Sequence, residues 1–96
     1  MEQVAAFMML VGCSADAQAC HRIPVWVPTY QDVATCERDL RAELRLNAFS
    51  ADRLYGACRS VDAATFRDAK SIGWSISRDG RLDIRFDLAP QVVAAR

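Results

Sequence analysis

Val4 to Val11 is an unbroken apolar run of eight residues with no alternation. A run of that length suits a strand buried on both faces and is far too short for a membrane-spanning helix, which needs about 20 apolar residues. Ser14 to Ala19 is small and polar, a loop by composition. His21 to Val27 then alternates, with Ile23, Val25 and Val27 on one face and Arg22, Pro24 and Trp26 on the other. Proline cannot donate to a ladder, so Pro24 and Pro28 mark an edge strand. Pairing the two runs as an antiparallel hairpin sets Cys13 against Cys20, Leu10 against Ile23 and Met8 against Val25, which keeps the apolar sets together.

The period then changes. Val33, Cys36, Leu40 and Leu44 recur at spacings of three and four, which predicts an amphipathic helix over Gln31 to Leu46. Thr29 is the expected N-cap, with Asp32 in the first turn, and Asn47 is expected to end the helix in a left-handed conformation. Beyond it, Ser50 is placed to cap a helical turn through Tyr55, Ala57 to Val61 reads as a short strand carrying Cys58, and Asp62 caps a short helix to Lys70.

The C-terminal pattern is a hairpin. Ile72, Trp74 and Ile76 alternate with small polar residues, and Leu82, Ile84, Phe86 and Leu88 alternate with charged ones. A two-residue Asp79-Gly80 turn would set Ile76 against Asp83 and mix the faces. A three-residue loop, Arg78-Asp79-Gly80, sets Ile76 against Leu82, Trp74 against Ile84 and Ile72 against Phe86, with Gly80 in the left-handed position of a G1 bulge. Pro90 interrupts the last strand, and Gln91 to Ala95 reads as a frayed strand end. Together these elements predict one α+β domain over residues 1–96. Its mostly antiparallel sheet has four to five strands, with one main amphipathic helix on one face and a C-terminal β-hairpin.

Composition narrows the function classes. The 96 residues carry 12 Lys+Arg against 12 Asp+Glu, a formal net charge of zero. That removes the electrostatic argument for nucleic acid or an anionic membrane surface. Arg38, Arg41 and Arg45 line part of the helix, but Glu37, Asp39 and Glu43 are interleaved, the pattern of a solvated face. Eleven of the twelve cations are Arg, and Ala occurs sixteen times, a bias typical of a GC-rich bacterial genome.

Four cysteines in so short a chain are the main candidate chemistry. Cys13, Cys20, Cys36 and Cys58 are an even number, compatible with two disulfides. The hairpin register brings Cys13 to Cys20, and Cys36 on the inner helix stripe can reach Cys58 on the strand beneath. Reduced, buried thiols are the alternative, since cytosolic cysteines stay reduced. With His21 the cysteines also supply enough donors for zinc, but the intervals of 6, 15 and 21 residues lack the close ligand pairs of structural zinc sites. No Cys-x-x-Cys occurs, the four glycines are scattered, and adjacent Cys20 and His21 point to opposite faces of a strand. No catalytic set, metal site or cofactor is therefore expected.

Two further features bear on function. Leu10-Val11-Gly12-Cys13 is similar to a lipobox, which makes an envelope lipoprotein processed and lipid-anchored at Cys13 an alternative. The only charge before the apolar run is Glu2, however, and a signal peptide needs a basic start. A strand reading and a cytoplasmic location are favoured over the periplasm or envelope. Secondly, Phe7, Met9, Val11 and Trp26 share the sheet face opposite Leu10 and Ile23, and only one long helix is present to cover a face. Either the Asp62–Lys70 helix covers the second face or another chain does. Phe7, Met9 and Trp26 are the candidate interaction surface, for a protein partner or a homo-oligomer.

The stretch Phe7 to Ser14, with Cys20, the prolines at 24 and 28, Cys36 entering a helix, and Trp74 and Gly80 beyond, resembles a group of small uncharacterised alphaproteobacterial proteins. The resemblance implies a bacterial source and an N-terminal run that belongs to the fold. It carries over no functional residue, and the Arg-rich helix departs from the more acidic versions of the group. The sequence reading is thus a small non-enzymatic protein acting through protein–protein or self-association, with the lipoprotein as one alternative and a thiol redox or metal-binding protein as another.

Overall fold

The apolar run becomes the centre of the molecule. A computed structural model describes residues 4–88, and in it Ala6–Cys13 (β1) is buried at every position. Cys20–Ile23 (β2) and Thr29–Tyr30 (β3) pair with successive halves of one edge of β1, and Arg53–Ser60 (β4) pairs antiparallel along all of the other. The helix α1 (Val33–Leu46) lies on one face of this four-stranded sheet. Ala63–Asp68 (α2) and the hairpin of Ala69–Ile76 (β5) and Leu82–Leu88 (β6) cover the other. The hairpin forms its own two-stranded sheet, so the layers run helix, sheet, hairpin.

Each face of β1 belongs to a different core. Ala6, Met8 and Leu10 point to α1 and pack with Ile23, Cys36, Leu40 and Leu44. Phe7, Met9, Val11 and Cys13 point to the hairpin and pack with Phe66, Trp74, Ile84 and Phe86. The Phe7 ring sits 5.7 Å from both Phe66 and Phe86, edge-on to the latter. Such pairs add about 0.5–1.5 kcal/mol beyond the area they bury. Burial on both sides is why β1 shows no hydrophobic alternation.

The hairpin has the register that its parity requires. Ile76 faces Leu82, Trp74 faces Ile84 and Ile72 faces Phe86, and Gly80 takes a φ of 87°. Its layer corrects the surface expected from Phe7 and Met9. Both are only 1% exposed, closed off within the chain by the hairpin and α2. Alternation showed which hairpin residues are apolar, but not which face they would cover.

Several boundaries differ from expectation, among them the second helix, which ends at Asp68 because β5 starts at Ala69 rather than after Lys70. The N-cap of α1 is Asp32, not Thr29: its carboxylate accepts from the Thr35 N–H at 2.7 Å and from its hydroxyl at 3.1 Å, while Thr29 is held in β3. Asn47 has a φ of −105°, and caps the helix end by donating its side-chain amide to the Glu43 carbonyl at 2.8 Å. The helical turn expected from Ser50 to Tyr55 is absent, because β4 already starts at Arg53. Gly56 is a packing position: a Cβ there would stand 2.8 Å from Leu40 and 3.1 Å from Leu44, so glycine lets the helix approach the strand. The frayed strand expected at Gln91 to Ala95 lies outside the described residues.

Two substitutions test this layering. Phe7→Ala is expected to cost about 3–5 kcal/mol in urea unfolding, since it opens a cavity between sheet and hairpin. Gly56→Val is expected to cost about 1–3 kcal/mol by overpacking under α1.

Candidate functional site

The sulfur atoms are brought together as two disulfides. Cys13 and Cys20 are cross-strand partners of β1 and β2, with Cα atoms 4.0 Å apart. The next pair along, Ser14 and Ala19, is hydrogen-bonded at 2.8 Å. That places Cys13 and Cys20 at the non-hydrogen-bonded position, where side chains are closer. Cys36, fully buried on α1, is bonded to Cys58 on β4, with Cα atoms 6.1 Å apart. The first bridge closes the Ser14–Ala19 loop and the second ties the helix to the sheet. No cysteine is left free.

The Ser14–Ala19 loop is ordered by its own side chains. Ser14 donates its hydroxyl to Asp16 at 2.6 Å, and the Gln18 N–H donates to the same carboxylate at 3.1 Å. These bonds hold the Asp16 carboxyl below the ordinary carboxylate range, the Ser14 hydroxyl contributing most. The caps of the two helices are lowered in the same direction, Asp32 by the N–H and hydroxyl of Thr35 and Asp62 by Thr65. Burial, with the Asp39 carboxylate beside it, pushes the Tyr30 phenol up. His21 is exposed on β2. It lies opposite Gly12, on the other face of the sheet from Cys20. Among the described residues no group of three or more His, Cys, Asp or Glu is placed to hold a metal ion, and no helix is long and apolar enough to cross a membrane.

Trp26 departs most from its sequence reading. Continuing the Leu10–Ile23 register would set Met8 against Val25 and Phe7 against Trp26, but Thr29 faces Phe7. Three extra residues are thus looped out between β2 and β3, with Pro24 and Pro28 flanking the excursion. Both ends of this excursion are fastened to β1, through the Leu10–Ile23 pair and a 2.7 Å bond from the Met8 N–H to the Pro28 carbonyl. Val25 turns inward to the helix-side core, whereas Trp26 is 94% exposed and Val27 55%. A cleft of about 270 Å³ lined by Arg22, Pro24, Val25 and Pro28 lies at the base of the loop. Of the three residues expected to form an interaction surface, only Trp26 is on the surface.

Three larger openings are shallow. One of about 870 Å³ is lined by Val61, Arg59, Arg85 and Phe86 among others, one of about 670 Å³ by Cys20, Arg53, Tyr55, Trp74 and Arg78, and one of about 340 Å³ by Val27, Tyr30 and Asp32. Arg59, which the sequence reading passed over, stacks 5.6 Å over Phe86 and donates to the Ile84 carbonyl, joining β4 to β6. Phe49, fully exposed after α1, was also passed over, because a lone aromatic in a loop has no period to mark it. No protein-family model, curated protein or solved structure matches the chain.

Two outcomes follow for the cysteines and the caps. Protein purified without reductant is expected to take up no alkylating agent, and Cys36→Ala/Cys58→Ala to lose about 2–4 kcal/mol of stability in urea. Because the folded-state pKa values of Asp16, Asp32 and Asp62 lie below the ordinary 3.8, their stabilisation is complete above 3.8 and disappears as pH falls through the lowered values. Asp32→Asn/Asp62→Asn keeps capping side chains without the titration, and should flatten the decline of the urea midpoint below pH 3.8.

Proposed function

We propose that this chain is a small non-enzymatic bacterial domain that acts by binding another protein, with the Trp26 loop as its contact. One observation carries the reading: a tryptophan 94% exposed at the tip of a loop anchored at both ends. Exposing so large an apolar ring gains nothing for folding, and tryptophan is among the residues that dominate binding energy at interfaces. Two prolines and two anchors restrict the loop before contact, which lowers the entropy lost on binding. Val27 beside the ring and the cleft at the loop's base supply apolar surface around it.

Two bridges in one small domain fit an oxidising compartment better than the reducing cytosol. The alternative of processing at Cys13 is disfavoured, since it would remove Ala6 to Gly12, nearly all of the central strand. A thiol redox or metal-binding role draws no support from cysteines that are all paired.

The test compares wild type with Trp26→Ser, an exposed change that should leave thermal unfolding unaltered. Each is immobilised and exposed to extract of the source cells. A protein retained by the wild type alone is then purified and titrated against both forms. The expected loss on Trp26→Ser is about 30-fold or more in Kd, the scale of an interface hot spot. Equal affinity for both forms, or no protein that distinguishes them, refutes the reading.

A further inference from the structure

Exposed strand edges are templates for further pairing, and folded proteins commonly block them. Among the described residues three of this protein's edges carry a block. The β2–β3 edge is broken by the excursion between Pro24 and Pro28. On β6, the guanidinium of Arg59 occupies the Ile84 carbonyl. On β5, the ladder slips between Ala69 and Ser71, with Lys70 at the slip. Among the described residues the edge of β4 shows no such device. Its eight residues pair with β1 without a shift, contain no proline, and carry charge only at Arg53 and Arg59.

The phase of the ladder identifies the free groups. The Val61 N–H donates to the Ala5 carbonyl at 3.0 Å, and the register from there to Arg53 is continuous. Arg53, Tyr55, Ala57 and Arg59 therefore bond to β1, and Leu54, Gly56, Cys58 and Ser60 turn their N–H and C=O groups outward. Gly56 has no side chain and is nonetheless half-buried rather than buried, with Leu40 and Leu44 over its Cα.

We propose that β4 pairs antiparallel with β4 of a second copy of this chain, joining two four-stranded sheets into one. Setting Leu54 against Ser60 and Gly56 against Cys58 pairs all four outward residues of both copies, through about eight hydrogen bonds. The two-fold axis then passes between the two Ala57 residues, a closed, self-complementary contact. This register sets Arg59 against Tyr55 of the second copy and keeps the two arginines of each β4 apart from those of the other. Sliding by two residues one way would set Arg53 against Arg59, and sliding either way leaves outward groups of β4 unpaired. A net charge of zero adds no long-range repulsion between copies. The surface is separate from the Trp26 loop and does not depend on it.

The test uses the full chain alone, by sedimentation velocity and amide hydrogen exchange from micromolar to millimolar concentration. The expected result is a monomer–dimer equilibrium in which the amides of Leu54, Gly56, Cys58 and Ser60 slow by about tenfold or more as the dimer fills. Those of Tyr55, Ala57 and Arg59, already bonded to β1, should stay protected at every concentration. Ser60→Pro removes one outward donor at an exposed position and should shift the equilibrium toward monomer, whereas Trp26→Ser should dimerise like the wild type. A monomer throughout, a dimer whose four outward amides stay unprotected, or a dimer lost in Trp26→Ser would overturn the proposal.

Discussion

The structure depends on burying one strand from both sides. β1 is covered at every position, so its alternate residues need two different partners. α1 supplies one, and the C-terminal hairpin with α2 supplies the other. Neither covering layer is stable alone, because a fourteen-residue helix is marginal in water and so is an isolated two-stranded hairpin. The apolar strand therefore makes the folding of both layers one cooperative event.

The disulfides secure the same strand at its weak points. Cys13–Cys20 closes the short β2 onto the end of β1, where only four residue pairs hold the edge. Cys36–Cys58 ties α1 to β4, where Gly56 brings the backbones close. A domain this small buries a modest fraction of its surface, and covalent links offset that deficit. The remaining chemistry is peripheral. The ion pairs are exposed and between near neighbours, such as Arg38 with Asp39 and Arg85 with Asp87, and contribute little. The lowered carboxyl groups are caps and a turn, which serve folding.

Local chemistry was legible wherever period or parity decided it. The α1 stripe, the cap at Asp62, the Gly80 bulge and the Cys13–Cys20 register each follow from spacing within about twenty residues. Only the second half of β4 was legible, because Leu54 and Tyr55 are neighbours facing opposite layers and leave no apolar alternation before Ala57. The Trp26 loop was misplaced for a related reason. Alternation continues through Pro24-Val25-Trp26, but the chain leaves the ladder after Ile23 and rejoins it three residues out of register, a shift that no local period records.

Sequence by itself determined the α+β class, the mostly antiparallel character of the sheet, the main helix, the C-terminal hairpin register and an apolar second face of β1 that needs a cover. Tertiary structure alone decided what covers that face: Phe7 and Met9 are core because the hairpin folds back over them, and Trp26 is surface because its strand is interrupted. The division has a physical cause. Periodicity records which side of an element is apolar, whereas the choice of covering layer is made by long-range packing, which leaves no local period in the chain.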